Sequence, residues 1–206
     1  MSKNQHFKII YYFKTIMDYL QVYKDAFNNA TYSNEHHIQY DFAANEILFK
    51  INDPTTNFKL IDIGSGRGQL INLVKKRFIN SNITSADLNN FHNNNDVNFV
   101  KCNLSNPDNR DALLNSKYDI LTCTDVFEHL DKFFIEDVIE MCSKLSDVCI
   151  FAIANHSDII NNVELHTIQE NDLWWDEKLN KFFYIEKKEI KYEGILYLYV
   201  CISKTI

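Results

Sequence analysis

Residues 58–70 read FKLIDIGSGRGQL, and the reading of this stretch decides the fold. An apolar run from Phe58 to Ile63 carries a single acid, Asp62, near its end, and Gly64, Gly66 and Gly68 follow at alternate positions. The chain holds only four glycines in 206 residues, so three of the four fall in one turn. Glycines at the end of a strand let the backbone approach a ligand closely. The helix that follows, expected over 67–79, offers unpaired N–H groups at its start. The spacing is G-x-G-x-G, with Gln69 where the dinucleotide fingerprint has its third glycine, and no G-K-[ST] follows as in a phosphate-binding P-loop.

Outward from this turn the chain alternates strand and helix. Strands are expected at 58–63, 83–87, 98–102, 118–124 and 148–153, with helices at 67–79, 108–115 and 132–145. The early strands are short continuous apolar runs, the pattern of strands covered by helices on both faces. The end of the chain differs. FFYIEKKEIKY (182–192) and ILYLYVCIS (195–203) flank Gly194 and predict a terminal hairpin, so at least one strand runs antiparallel to the others. Ahead of the alternation, residues 7–28 and a stretch after Asn34 read as helices, the second with Ile38, Phe42 and Phe49 near one face and Pro54 closing it. The expected architecture is α/β: a Rossmann-like, doubly wound, seven-stranded and mostly parallel sheet with an antiparallel C-terminal strand. Residues 1–52 are expected to form an N-terminal helical cap on a ligand-binding domain of residues 53–206.

Composition narrows the function classes. A 46% apolar share with 24% charged residues is that of a globular protein rather than a disordered chain. No apolar run approaches the roughly 20 residues that span a bilayer. The net charge of −7 gives no general attraction to a phosphate backbone, which disfavours non-specific nucleic-acid binding. The five cysteines, 102, 123, 142, 149 and 201, show no C-x-x-C spacing and read as buried reduced thiols. The N-terminal MSKNQHFKIIYYFKTIMDYL is broken by Lys8, Lys14 and Asp18 and does not read as a signal peptide, so a cytoplasmic location is expected.

The D-x-G-x-G-x-G of Asp62 to Gly68, placed after a strand, resembles the first motif of class I S-adenosylmethionine-dependent methyltransferases. The resemblance covers roughly residues 55–155. It implies S-adenosylmethionine as cofactor, with Asp62, Gly64, Ser65, Gly66 and Gly68 around its methionine portion. The next strand ends in Asp87, 25 residues after Asp62, where a carboxylate can accept both ribose hydroxyls, with Leu88 beside it. The third strand ends in KCNLSN, where the family often has an acid near the adenine amino group. Here Asn103 stands there, its amide oxygen able to accept the same hydrogen bond, with Leu104 next to it. The fourth strand runs through Thr124 into DVFEHL (125–130), close to the D-V-L-E-H-L of many small-molecule methyltransferases of this class.

Asp125, Glu128 and His129 admit three readings. They line the pocket beside the methionine moiety, with His129 against the acceptor; or they hold a divalent ion, as in small-RNA and quinone-ring methyltransferases that the pattern resembles; or Asp125 caps the following helix and His129 packs. The first is preferred, so a divalent metal is not the favoured expectation. Past strand five come Asn155 and His156, then VELHTIQENDLWW (163–175), which resembles a segment of short bacterial and phage methyltransferases. His166 is expected in a loop over the acceptor site. Trp174 and Trp175 read chiefly as core packing, with stacking on a sugar as the alternative. His6, His36, His37 and His92 read as surface or packing residues.

The leading expectation is methyl transfer to a small-molecule or saccharide acceptor, at oxygen, with His129 or His166 as base. One alternative is a metal-assisted RNA methyltransferase, although the [DNS]-P-P-[YFW] of exocyclic base methylation is replaced here by TDVFEH. The other is a non-catalytic, cofactor-binding partner subunit.

Overall fold

The computed structural model describes residues 21, 22, 24–26, 37–92 and 94–204. Of the helix expected over 7–28, only positions 21, 22 and 24–26 are among them, and these are helical. The rest of that helix, the N-terminal stretch weighed as a signal peptide, His6 and His36 lie outside the described residues.

Among the described residues from Ile38 onward, nine strands and five α-helices run in the order α1 (Ile38–Ile51), β1 (Phe58–Ile63), α2 (Gln69–Arg77), β2 (Ser81–Asp87), β3 (Asn98–Lys101), α3 (Pro107–Leu114), β4 (Tyr118–Thr124), α4 (Ile135–Leu145), β5 (Ser146–Ala154), β6 (Ile159–Ile160), β7 (Val163–Glu164), α5 (Asp172–Leu179), β8 (Phe183–Lys191) and β9 (Leu196–Ser203). Seven strands form one sheet in the order β3-β2-β1-β4-β5-β9-β8, and β6 with β7 forms a small separate hairpin. β1 to β5 run parallel. β9 enters antiparallel between β5 and β8, so the expected hairpin is present and its last strand lies inside the sheet. The strand order reverses between β1 and β4. In open parallel sheets, that reversal opens a crevice at the carboxyl ends of the two strands.

The sheet is covered on both faces. α1 and α2 close one side, where Ala43, Ala44, Ile47, Leu70, Ile71 and Val74 pack on Leu60, Ile120, Ile150 and Val200. α3, α4 and α5 close the other, with Ile135, Val138, Ile139, Cys142 and Trp175 against Ile61, Leu121, Phe151 and Tyr199. All five cysteines are buried free thiols, as expected.

Several local expectations are corrected. α2 begins at Gln69 because Gly68 sits at φ 75°, outside the helical region, and it ends at Arg77 where Phe78 turns extended. α4 starts at Ile135, after a single 3₁₀ turn at Phe127–His129. α1 buries Gln39, Phe42, Ala43, Ala44 and Ile47, whereas Ile38 is 40% and Phe49 75% exposed. Small alanines let the helix axis approach the sheet closely, and that contact overrides the larger side chains on the other face. Asn52 at φ 56° then closes α1.

Candidate active site

The glycine turn is tied to its neighbouring strand by the backbone and by Asp87. Gly64 N–H donates to the Ala86 carbonyl (2.7 Å), and the Asp87 carboxylate accepts from Gly66 N–H (2.8 Å) and Leu88 N–H (2.6 Å). Gly64, Gly66 and Gly68 all have positive φ. At Gly64 the demand is also steric, since a Cβ there would lie 2.1 Å from Val126 Cγ2. Gly68 lies behind the turn, against the ring of buried His92, whose Nε2 meets the Ser85 hydroxyl at 2.9 Å. His92 is thus a packing residue, as expected.

Two adjoining cavities open at the strand reversal. The larger, of about 540 Å³, is lined by Asp62, Gly64, Ser65, Gly66, Thr124, Asp125, His129 and His166 among others. The smaller, of about 70 Å³, is lined by Gly64, Asp87, Leu88, Asn103, Leu104, Asp125 and His129 among others. The site residues singled out in the sequence, except Gly68 and Glu128, therefore line one or other of two cavities that share Gly64, Asp125 and His129. Residues the sequence does not flag join them: Gln39 and Tyr40 from α1, Arg67 from the turn, Asp158, and Tyr192 and Ile195 from the β8–β9 connection. His37, expected only at the surface or in packing, also borders the larger cavity.

The cavity is lined by buried and half-buried acids. Asp62, 2% exposed, accepts from the Thr122 hydroxyl at 2.7 Å, and burial pushes its carboxyl up to about 7. Burial raises Asp87 to about 6, against the pull of the Gly66 and Leu88 N–H groups. Asp125, at φ 54°, accepts from the Gln39 side-chain amide, and burial raises its pKa despite that bond. It does not cap α4, whose N-terminal flanking residue is Phe134. Glu128 is fully buried and is pushed well above the carboxylate range by burial and by Asp125. One of its oxygens accepts from Ala154 N–H (3.0 Å), while Oε2 has no partner. Ser65 Oγ is likewise buried without a partner.

The L-H-T-x-Q segment has a structural explanation. Thr167 Oγ1 donates to the Leu130 carbonyl (2.6 Å), Ile168 N–H to the Glu128 carbonyl (3.0 Å), and the Gln169 amide to the His166 carbonyl (3.0 Å). These bonds stitch the loop onto residues 128–130 and set the His166 and His129 rings edge to face at 4.6 Å. His129 Nδ1 lies 3.0 Å from the Leu165 carbonyl, and His166 Nδ1 2.7 Å from the His156 carbonyl. A carbonyl only accepts, so each Nδ1 carries the proton and each Nε2 the lone pair. Burial, then the neighbouring His166, depress His129 to about 3, and burial lowers His166. His156 is exposed, with its ring 4.7 Å from that of His166.

Asn103 Oδ1 accepts from Ser105 N–H (3.0 Å) and keeps a second lone pair for a further donor. Trp175 is fully buried against Phe127, and Trp174 packs beneath Lys178 and Lys132, so the pair belongs to the core and its rim rather than to a sugar platform.

Comparison with known proteins agrees with this architecture. No curated protein sequence matches the chain. Among solved structures, 1,6-didemethyltoxoflavin-N1-methyltransferase of Burkholderia thailandensis superposes with a TM-score of 0.68 at 14% identity, over 92% of this chain and 90% of that one. Magnesium protoporphyrin IX methyltransferase of Synechocystis PCC 6803 gives 0.62 at 14%, over 89% and 99%. An O-methyltransferase family protein of B. thailandensis gives 0.53 at 14% over 70% of this chain, which spans only 50% of its length. These likenesses share the fold. The profile of the family described as "Methyltransferase domain" matches residues 34–190, more than half of the chain, and the protein belongs to that family.

Proposed function

We propose that the protein transfers a methyl group from S-adenosylmethionine to a small acceptor, at an oxygen of a saccharide or similar hydroxyl compound. The observation that carries the reading is that two cavities sharing Gly64, Asp125 and His129 meet at the glycine turn and bring its acids together with the Nδ1-anchored histidines.

The residues present suit this cofactor. Its sulfonium and ammonium charges match the buried Asp62 and the half-buried Asp125, and the unpartnered Ser65 hydroxyl is a ready donor for its carboxylate. Asp87 spends one lone pair per oxygen on Gly66 and Leu88 and keeps others for ribose hydroxyls. Leu88 and Leu104 give the smaller cavity apolar walls for a base, and Thr124 borders the larger one. S-adenosylmethionine supplies an electrophilic methyl carbon on a positively charged sulfur. The chain's own contribution is alignment and proton removal. His166 Nε2 takes the acceptor's hydroxyl proton, and the Nδ1 bond to the His156 carbonyl steadies the imidazolium that forms. His129 is the second candidate, and its depressed pKa makes it the weaker base.

The neighbours' named acceptors, a toxoflavin precursor and magnesium protoporphyrin IX, are small molecules, which supports a small acceptor for this chain also. An acidic cavity disfavours a polyanionic acceptor such as RNA. Residues up to 52 serve as the acceptor-side cap, a reading supported by His37, Ile38, Gln39 and Tyr40 at the larger cavity. The test is transfer of labelled methyl from S-adenosylmethionine to fractionated cell metabolites and saccharides. Label in a small acceptor is the expected result. Tight cofactor binding with no transfer to any fraction would favour the non-catalytic subunit instead.

A further inference from the structure

We infer that Asp158 and His166 form the acceptor subsite, and that the group it takes is a vicinal diol with one hydroxyl at each side chain. The inference rests on the methyl transfer proposed above and names its substrate class. His166 Nε2 and Asp158 Oδ2 lie 4.0 Å apart, and both residues line the larger cavity. His166 gives its Nδ1 proton to the His156 carbonyl, and burial lowers its pKa, so Nε2 presents a lone pair. Two hydrogen-bond acceptors thus stand side by side at the cavity wall, a pairing that calls for donors.

The separation is one that a diol meets and a lone hydroxyl does not. A hydroxyl oxygen sits about 2.8 Å from the atom it donates to, so two neighbouring hydroxyls can serve acceptors 4.0 Å apart together. A single hydroxyl has one proton and satisfies only one of the two. His166 is buried and Asp158 half-buried, so an acceptor with an isolated hydroxyl takes water from both groups and returns a bond to one. A site built to bond two polar groups rejects the analogue that lacks one of them, because its own partner is then left unpaired.

The small β6–β7 hairpin sets the pair. Asp158 and His166 flank it, Ile159 pairs with Glu164 and Ile160 with Val163, and Asn161 and Asn162 turn the chain at φ 52° and 62°. Leu165 N–H donates to the Asp158 carbonyl (2.7 Å). A single oxygen, Glu164 Oε1, accepts from both Asp158 N–H (2.8 Å) and His166 N–H (2.9 Å), which fixes the two backbones against each other. In the reaction the hydroxyl at Nε2 attacks the methyl carbon. Its O–H bond breaks with the proton passing to His166 Nε2, the O–C bond forms, and the C–S bond breaks to release S-adenosylhomocysteine. The second hydroxyl stays on Asp158 and does not react.

The test uses the whole chain, methyl-labelled S-adenosylmethionine and a mixed extract of cell metabolites and saccharides. Half of the extract is oxidised with periodate, which cleaves vicinal diols and spares isolated hydroxyls, and is then quenched. Wild-type protein should label the untreated half and not the oxidised half, and transfer should return when untreated extract is added back. Near-ultraviolet absorbance of the labelled product marks an aromatic diol, and its absence a saccharide or other polyol. Asp158→Ala, which keeps the backbone bond to Glu164, should need at least about tenfold more concentrated extract for half-maximal transfer, with S-adenosylhomocysteine affinity within about twofold of wild type. Labelling that survives periodate would overturn the diol subsite. So would an Asp158→Ala variant that saturates at the wild-type extract concentration. Wild-type protein that binds S-adenosylhomocysteine and labels neither half would overturn the proposed transfer itself, and the subsite with it.

Discussion

The substitution Asp62→Asn should stabilise the ligand-free protein while weakening its hold on the cofactor. Asp62 is 2% exposed, and burial lifts its carboxyl from the ordinary 3.8 to about 7. Each tenfold change in proton affinity corresponds to about 1.4 kcal/mol, so keeping Asp62 ionised in the folded chain at pH 8 costs about 4 kcal/mol. The sign follows from which state holds the proton. Between pH 3.8 and about 7 the folded chain retains a proton that the unfolded chain has released, so stability falls as pH rises through that window. Asparagine carries no charge and still accepts from the Thr122 hydroxyl through its carbonyl oxygen. The variant should therefore match wild type near pH 4 and exceed it by about 3–4 kcal/mol at pH 8, a rise of roughly 6–16 °C in Tm for a chain of this size. Calorimetric titration of S-adenosylmethionine at pH 8 should show the opposite trend. Loss of one charge-assisted contact is worth about 1.5–3 kcal/mol, or roughly ten- to more than a hundredfold in affinity. Denaturation measured at pH 4, 6 and 8 decides the matter. An Asp62→Asn variant no more stable than wild type at pH 8, or a gap that does not change with pH, refutes the argument.

Asp87→Ala removes the acceptor of two backbone N–H groups as well as the ribose partner, so S-adenosylhomocysteine affinity should fall at least about tenfold by calorimetry, with a lower Tm. Gly64→Ala places a Cβ 2.1 Å from Val126 Cγ2 at φ 71°; thermal melting should show a loss of about 2 kcal/mol or more, and Val126→Ala in the same chain should restore only the steric part. His166→Gln should keep S-adenosylhomocysteine affinity within about twofold yet slow labelled methyl transfer by at least about a hundredfold, a loss in kcat that a purely packing residue would not produce.

How much of this is legible in the sequence follows from how local each signal is. The strand–turn–helix of residues 58–77 is written in consecutive residues, because a backbone at positive φ demands glycine where it occurs. The buried parallel strands announce themselves as apolar runs, and Gly194 marks the hairpin. The placement of Asp62, Asp87, Asp125 and His129 follows from the rule that parallel strands end at the ligand edge. Gln39, Tyr40, Tyr192 and Ile195 carry no such signal. They reach the cavity from an amphipathic helix and a hairpin turn, and only the packing of α1 and the insertion of β9 bring them there. The face of α1 is misread when bulk is weighed above fit, because the sheet receives Ala43 and Ala44 and leaves Phe49 exposed. Nor does the spacing of Glu128 and His166 reveal their approach, which depends on Thr167 and Ile168 binding back onto residues 128–130.

The central claim is that the glycine turn and its flanking acids hold S-adenosylmethionine with its methyl group facing the histidine wall. A crystal structure of the protein with S-adenosylhomocysteine tests it most directly. The account predicts the amino-acid portion along Gly64–Gly66 beside Asp62, the ribose on Asp87, the adenine between Leu88 and Leu104, and the sulfur turned toward His129 and His166. Density for the ligand outside the two joined cavities, or a ribose that leaves Asp87 uncontacted, would contradict it.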